Sequence, residues 1–343
     1  MNGNDRIVSL WLFVICALVF LIVIVGGATR LTDSGLSITE WKPIMGAIPP
    51  LSAADWAIAF EKYKAIPEYT QVNQGMTLEG FKTIFWWEWA HRFLGRFIGV
   101  VFLIPFLFFW ARGMIHHNFV PGIFGLFILG GMQGVLGWYM VKSGLFDRVD
   151  VSQYRLAAHL GLAILIFGFG LWWGLGLRNS AREDGSLMIS GLRLSAFGLM
   201  TLIFLQIISG GFVAGMDAGL SHNTWPLMEG KLIPDGLGVM SPWYTNLFEN
   251  ALTVQFDHRM IAYAILAWVV VHLFALRQST ELIDVPTGAK FLASFIGLQI
   301  LLGIATLLTH VPIALALGHQ ALAVITFGIA VYHLRRLSDL SAA

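Results

Sequence analysis

Residues 7–29 read IVSLWLFVICALVFLIVIVGGAT and contain no charged side chain. A helix needs roughly 20 mostly apolar residues to span the hydrocarbon core of a bilayer, so this stretch predicts a transmembrane helix. The stretch 291–334 is too long for one span, and His310-Val-Pro312 divides it into two because proline interrupts a helix. Comparable single spans are predicted at 86–110, 113–141, 156–177, 194–216 and 260–276. The sequence therefore predicts an all-α membrane protein with eight transmembrane helices.

The composition of the chain agrees with this prediction. Of its 343 residues, 57% are hydrophobic and 12% are charged, whereas a soluble domain carries roughly 25% charged residues. The net charge of +1 provides no basic field that would attract nucleic acid. The only cysteine, Cys16, lies inside an apolar run. The sequence thereby excludes an intramolecular disulfide, a cysteine zinc site and a Cys-x-x-Cys-His haem attachment.

An even number of spans places both termini on one side of the membrane. The short segments on that side carry more basic than acidic residues. The opposite side has more basic residues in total, but half of them lie in two long loops, which the positive-inside rule excludes. We therefore predict cytoplasmic termini. Because no Arg- and Ser-rich transit peptide precedes the first span, a bacterial cytoplasmic membrane is favoured.

The two halves of the chain resemble each other. Asp33-Ser-Gly-Leu-Ser37 with Trp41 recurs 184 residues later as Asp217-Ala-Gly-Leu-Ser221 with Trp225. Further pairs follow in the same order: Gly26-Gly27 with Gly210-Gly211, His91-Arg92 with His258-Arg259, and Gln133 with Gln299. Four spans per repeat make the repeats parallel, related by an axis along the membrane normal. We predict two pseudo-symmetric four-helix bundles, in residues 1–180 and 181–343.

Four of the ten histidines share one position in their predicted spans. Each lies within about two turns of the start of a span that enters from the side opposite the termini: His91, His159, His258 and His319. Ionisable side chains inside membrane spans are costly and usually functional. Two facing histidines in a four-helix bundle are a common way to hold haem iron. The repeat pairs them across the halves, so each half is predicted to hold one pair.

Two other interpretations of these histidines stay open at this point. Any one of them, taken alone, could be an ordinary packed residue. Zinc or copper would need a third or fourth donor, which Glu88 could supply to the first pair. The remaining histidines are predicted to be solvated or interfacial: His116, His117, His222, His272, His310 and His333.

The halves differ in one charged position. Glu88 lies three residues before His91, on the same face of the helix, whereas Gln255 takes that position before His258. A carboxylate there could move protons or stabilise a cationic intermediate; alternatively, it could merely complement the helix dipole. Arg92 and Arg259 follow the paired histidines and could bind haem propionates or anchor the helices at the interface.

With these motifs the chain resembles the haem A synthase family over nearly its whole length. The resemblance rests on residues 26–37 (GGATRLTDSGLS), Trp41, Pro43, Glu88-Trp-Ala-His-Arg92, Asp257-His-Arg259 and the histidines of the fourth and eighth spans. Some bacterial members carry a cysteine pair in the first outer loop. Residues 28–84 contain no cysteine, so the chain is similar to the cysteine-free branch.

The resemblance implies an oxidoreductase that converts the C8 methyl group of haem O to a formyl group, giving haem A for terminal oxidases. Glu88, His91 and His159 would then be catalytic, with haem O as substrate and haem A as product in the first half. His258 and His319 would ligate a haem b in the second half, and all four histidines would bind iron. Arg92 and Arg259 would contact the haems.

Further expectations follow from the resemblance and from the placement of the histidines. Expected partners are the haem O synthase (a protohaem farnesyltransferase), cytochrome oxidase assembly factors and an electron acceptor or donor; a homo-oligomer is compatible with the resemblance. The alternative function is a di-haem b-type cytochrome that only transfers electrons. It is disfavoured because all four candidate ligands lie near one membrane face. The segments 33–49 and 217–234 are predicted to fold over the haem edges.

Overall fold

The computed structural model describes residues 3–42, 45–178, 187–278 and 285–340. Pro43 and the inner-loop segments 179–186 and 279–284 lie outside the described residues, and with them Arg182, one of the basic residues that the topology prediction used. The described chain forms the helices α1 (Gly3–Leu31), α2 (Ala53–Lys64), α3 (Pro67–Gln71), α4 (Leu78–Ala111), α5 (Val120–Asp147), α6 (Gln153–Gly176), α7 (Leu187–Gly215), α8 (Asn246–Glu249), α9 (Ala251–Arg277), α10 (Val285–Leu308) and α11 (Ile313–Leu340). Eight of them are long and apolar enough to cross a membrane. The prediction of an all-helical, multi-pass membrane protein is confirmed.

The predicted interruption between the last two spans lies where the sequence indicated it. His310 and Val311 have φ angles of 61° and 57°, in the left-handed region that a helix cannot contain. The amide of Val311 donates back to the carbonyl of Thr306 at 2.8 Å, which closes the end of α10. The carbonyl of Pro312 then accepts from the amide of Ala316 at 2.9 Å and starts α11.

Helix α4 begins earlier than predicted, at Leu78 instead of residue 86. The hydroxyl of Thr77 accepts from the amide of Gly80 at 3.2 Å and caps the helix. Its first turns, which precede the apolar run, are buried under the first outer loop, where α2 packs Phe60 and Tyr63 against Phe81. This packing compensates for the lack of a bilayer around those turns, so α4 extends beyond the predicted span.

The two halves meet along α1, α6, α7 and α11. Buried apolar side chains fill this junction, among them Val23, Ile164, Leu199 and Phe327. Small residues allow the helices to approach closely, since a Cβ atom at Gly168 would lie 2.9 Å from the ring of Phe327.

At the outer end of the junction, one arginine contacts three carboxylates from three different loops. The guanidinium of Arg30 lies 3.0 Å from Asp33, 2.7 Å from Asp150 and 3.0 Å from Asp217. Asp33 and Asp217 occupy equivalent positions in the repeat, and both have a left-handed backbone with φ of 48° and 50°. This shared and unusual conformation is consistent with the predicted pseudo-symmetry.

Candidate paired-histidine sites

The four histidines of the predicted spans form two pairs. The rings of His91 on α4 and His159 on α6 have their centres 6.3 Å apart, and those of His258 on α9 and His319 on α11 are 6.5 Å apart. Two imidazole nitrogens on opposite sides of one shared metal, each about 2 Å from it, would place the ring centres roughly 6.4 Å apart. Both pairs therefore fit ligation of one metal atom between their two rings.

Each of these four rings lies against a glycine of a neighbouring helix. A Cβ atom at Gly26 would lie 2.9 Å from Cε1 of His91, and one at Gly210 would lie 3.3 Å from Cε1 of His258. The other two rings have the same relation: a Cβ atom at Gly137 would lie 3.0 Å from Cε1 of His159, and one at Gly303 would lie 2.7 Å from Cε1 of His319. These glycines correspond between the halves. Gly26 recurs as Gly210, and Gly137, four residues after Gln133, recurs as Gly303, four residues after Gln299. Because they have no side chain, they leave the space that the rings fill.

Buried polar atoms without partners surround the two sites. Among the described residues, the side-chain oxygens of Gln133, Gln206 and Gln299 accept no hydrogen bond, and Nδ1 of His159 and of His319 has no partner. Each glutamine amide donates at 3.0 Å to the carbonyl of the nearby histidine: Gln133 to His159, Gln206 to His258 and Gln299 to His319. Unpartnered polar atoms are rare in interiors, and here they collect beside the rings, as expected for a site that holds a ligand.

Glu88 is buried, with only 3% of its surface exposed. Its Oε2 accepts from the hydroxyl of Ser37 at 2.7 Å and from the amide of Ile38 at 2.6 Å. Its Oε1 accepts from Nη2 of Arg92 at 2.6 Å. Glu88 thus holds the first outer loop against α4 one turn before His91, and within the described residues no hydrogen bond joins the two side chains.

Gln255 has the equivalent place in the second half, with different partners. Its amide donates to the carbonyl of Ala218 at 2.7 Å, and its Oε1 accepts from Nη2 of Arg259 at 2.9 Å. The equivalent side chains Glu88 and Gln255 therefore both bind their outer loop, but they contact different residues of it, and only the first contact is made by a carboxylate.

Arg92 and Arg259 bind the same part of the two outer loops. Nη2 of Arg92 donates to the carbonyl of Ile38 at 2.9 Å, and Nη2 of Arg259 to that of His222 at 2.8 Å. The second amino groups reach the carbonyls two residues further on, Glu40 at 3.1 Å and Thr224 at 2.9 Å. The two arginines thus hold the outer loops over the helix ends that carry His91 and His258.

The interpretation of His272 and His333 as interfacial residues is wrong. Both are 1% exposed, and their Nε2 atoms share a hydrogen bond of 2.8 Å. Nδ1 of His272 also lies 2.9 Å from the hydroxyl of Ser195. Their ring centres are 5.1 Å apart, which is closer than in the two other pairs.

A signal for this third pair was present in the sequence. His272 follows His258 by 14 residues (272 − 258), and His333 follows His319 by 14 (333 − 319). Fourteen residues are close to four helical turns, so both members lie on the faces that carry the outer pair. The other four histidines are exposed or half-buried, as predicted: His116, His117, His222 and His310.

The bare-metal alternative lacks a donor set. In the part of the chain that the structure describes, no three His, Cys, Asp or Glu side chains are close enough together to hold a metal ion. Glu88, whose oxygens are taken by Arg92 and the outer loop, does not complete the His91 site. Two nitrogens alone suit a metal whose other positions are filled by a macrocycle.

Fold and site together define a multi-pass membrane protein with one histidine pair near the outer end of each half and a third, hydrogen-bonded pair at the inner end of the second half. Residues 9–331 match the COX15-CtaA family, described as cytochrome oxidase assembly protein. The chain belongs to this family.

Curated relatives match it over nearly its whole length. A protein of Parvibaculum lavamentivorans named "Heme A synthase" is 52% identical over 337 residues, which cover 98% of this chain and 96% of the relative. Proteins of the same name from Chelativorans sp. and Bradyrhizobium diazoefficiens are 51% and 50% identical, covering 97% and 98% of this chain and 91% and 93% of those relatives.

Proposed function

We propose that this protein is a haem A synthase, an oxidoreductase that converts the C8 methyl group of haem O to the formyl group of haem A. One observation carries the proposal: this member of the family has two histidine pairs whose ring centres are 6.3 and 6.5 Å apart. Oxidising a methyl group requires a site that binds the substrate and a path for the electrons that leave it. Two bis-histidine sites in one chain supply both.

We assign the substrate to the first half, residues 1–180. His91 and His159 bind the iron of haem O there, and Gly26 and Gly137 leave room for the two rings. Glu88 is the carboxylate that the second half lacks. It takes up or passes a proton at the outer end of this site when one of its contacts to Ser37, Ile38 or Arg92 opens, and Arg92, which donates to Oε1, sets its position.

We assign a haem b to the second half, residues 181–343. His258 and His319 ligate its iron, and it supplies one-electron transfer when bound. Gln255 replaces the carboxylate here and cannot take up a proton at neutral pH, which suits a site that moves electrons only. Arg92 and Arg259 keep the outer loops over the two sites, so that water has limited access to the haem edges.

We further propose that the protein lies in a bacterial inner membrane with cytoplasmic termini and with both sites near the outer face. This orientation follows from the basic excess in the short segments on the terminal side. The proposed partners are the haem O synthase, which supplies the substrate, the assembly factors of cytochrome oxidase, which receive the product, and an electron acceptor or donor.

Pigment extraction from the purified protein tests the function. In cells that make haem O, the protein should contain haem b together with a variable amount of haem O or haem A. His91→Ala should remove haem O and haem A but keep haem b, and His258→Ala should do the reverse. Haem b alone, at two per chain, would overturn the proposal in favour of a di-haem cytochrome.

A further inference from the structure

We propose that α7 makes His258 a permanent haem ligand through Ser209 and Gln206, and that the apolar residues at the same positions of α1, Val25 and Ile22, allow His91 to release its haem. This inference rests on the proposed function, because it takes the first-half haem as substrate and the second-half haem as resident cofactor. Ser209 and Gln206 on one side, and Val25 and Ile22 on the other, determine which haem stays bound to the protein.

The correspondence between α1 and α7 is fixed by contacts as well as by sequence. Gly26 and Gly210 are 184 residues apart, and each lies against Cε1 of its own histidine, at 2.9 Å and 3.3 Å from a Cβ position. The same offset aligns Ser209 with Val25 and Gln206 with Ile22. The two helices therefore present equivalent positions to His91 and His258.

In the second half, α7 holds both the ring and the backbone of His258. The hydroxyl oxygen of Ser209 lies 3.2 Å from Nδ1 of the ring, where it can accept a hydrogen bond from a protonated Nδ1. The amide of Gln206 donates at 3.0 Å to the carbonyl of the same residue. With Nδ1 carrying the proton, Nε2 keeps its lone pair. The same Gln206 amide lies 3.2 Å from Nε2, so this amide would turn away from the ring when Nε2 binds iron.

In the first half, α1 offers no such partners. Val25 and Ile22 have no polar side-chain atom, and the end of the Ile22 side chain instead packs at 3.6 Å from the Cβ position of Gly95 on α4. Among the described residues the ring of His91 takes part in no hydrogen bond. The ring of His91 thus packs against Gly26 as the ring of His258 packs against Gly210, but it lacks the polar contacts that Ser209 and Gln206 make with His258.

The second ligands of the two sites differ less. Nε2 of Gln299 lies 3.4 Å from Nε2 of His319, and among the described residues Gln133 makes no such contact with the ring of His159. His159 and His319 both receive a glutamine amide on their carbonyl, at 3.0 Å in each case, and the Nδ1 atom of each is buried without a partner. The larger asymmetry between the halves lies on the side that α1 and α7 provide.

A partner on the second nitrogen of a metal-bound histidine fixes the orientation of the ring and makes it a stronger donor, and its loss costs roughly 10- to 100-fold in metal affinity. His258 has such a partner and His91 has none. A cofactor that remains through every turnover benefits from this contact, whereas a substrate that must leave as product does not. The polar contacts on α7 therefore assign the resident haem to the second half.

The test compares Ser209→Val with Ser209→Thr in the purified haem-loaded protein. Valine and threonine have nearly the same shape, so the two variants differ in the hydroxyl group alone. Transfer of haem b to excess apomyoglobin should become roughly 10- to 100-fold faster in Ser209→Val and stay within about two-fold of the unmodified protein in Ser209→Thr. The midpoint potential of haem b should rise in Ser209→Val, because a weaker donor stabilises the oxidised iron less.

The reciprocal variant, Val25→Thr, adds a hydroxyl beside His91. It should slow the transfer of haem O and haem A out of the purified protein by a similar factor, with haem b transfer unchanged. Equal transfer rates and potentials in Ser209→Val and Ser209→Thr would overturn this inference. The His258→Ala variant, measured in parallel, distinguishes a failure of this inference from a failure of the proposed function. If this variant retains low-spin haem b, the proposed haem assignment itself is wrong.

Discussion

A methyl group added at Gly303 would lie 2.7 Å from Cε1 of His319, whereas ordinary contacts of a Cβ atom begin at 3.4 Å. Gly303→Ala therefore requires the ring to move by at least about 0.7 Å, the difference between these two distances. The ring cannot move away freely, because the Gln299 amide lies 3.4 Å from its Nε2 and 3.0 Å from the carbonyl of His319.

Forcing an additional carbon into a packed site typically costs about 1–3 kcal/mol. If this cost falls on the haem-bound state, the affinity for haem b drops by roughly 5- to 150-fold, since about 1.4 kcal/mol corresponds to a factor of ten. Gly303→Ala should therefore contain less haem b after purification, and the low-spin signal of the remainder should be shifted because one axial ring is displaced.

The assay is the haem b content per chain, with the optical and electron paramagnetic resonance spectra of the low-spin iron. Gly297→Ala is a matched control on the same helix, because a Cβ atom there meets nothing within 4 Å. It should leave content and spectra unchanged. An unchanged spectrum and full haem content in the Gly303→Ala variant would refute the idea that Gly303 makes room for the ring of His319. An equal loss of haem b in the Gly297→Ala variant would refute it as well.

Further predictions concern the ligands, the carboxylate and the outer loop. His258→Ala and His319→Ala should each remove or perturb the low-spin haem b spectrum, and an unchanged spectrum in both would contradict their assignment. Glu88→Gln should keep haem b and accumulate haem O, while haem A formation falls by roughly 10²- to 10⁴-fold; a normal rate of haem A formation would leave Glu88 as a loop anchor only. Burial raises the pKa of Glu68, which accepts a hydrogen bond from Tyr63, from 4.5 to about 8, so its contribution to the stability of the outer loop is fully present below about pH 4.5 and is lost as the pH rises through about 8. Limited proteolysis of the loop should accelerate over this range, and Glu68→Gln should remove that contribution to the pH dependence.

Much of the fold follows from the sequence because the bilayer restricts it strongly. A span must be helical, apolar and about 20 residues long, so uncharged runs locate the helices, and the left-handed residues before Pro312 divide the last two as expected. The start of α4 was predicted less well. Its first turns lie outside the apolar run, and they are helical because α2 buries Phe81 and Phe85.

The sequence also located the candidate ligands without showing how they meet. Position along a span gives depth and helical face, and the repeat relates one half to the other. These two facts selected His91, His159, His258 and His319, which the structure brings together in pairs. The same criteria, applied at the inner ends of the helices, would have found the buried pair His272 and His333.

By itself, the sequence determined the number of spans, the repeat and the histidines near one face, because hydropathy and helical periodicity are local properties of the chain. Only the tertiary structure decided which groups each side chain meets: that Glu88 binds Arg92 and the outer loop, and that Ser209 contacts the ring of His258 while Val25 offers His91 nothing equivalent. Such contacts depend on the relative rotation and approach of neighbouring helices. That arrangement is set by the sum of many small packing interactions at glycines and apolar side chains, and no single residue of the sequence records it.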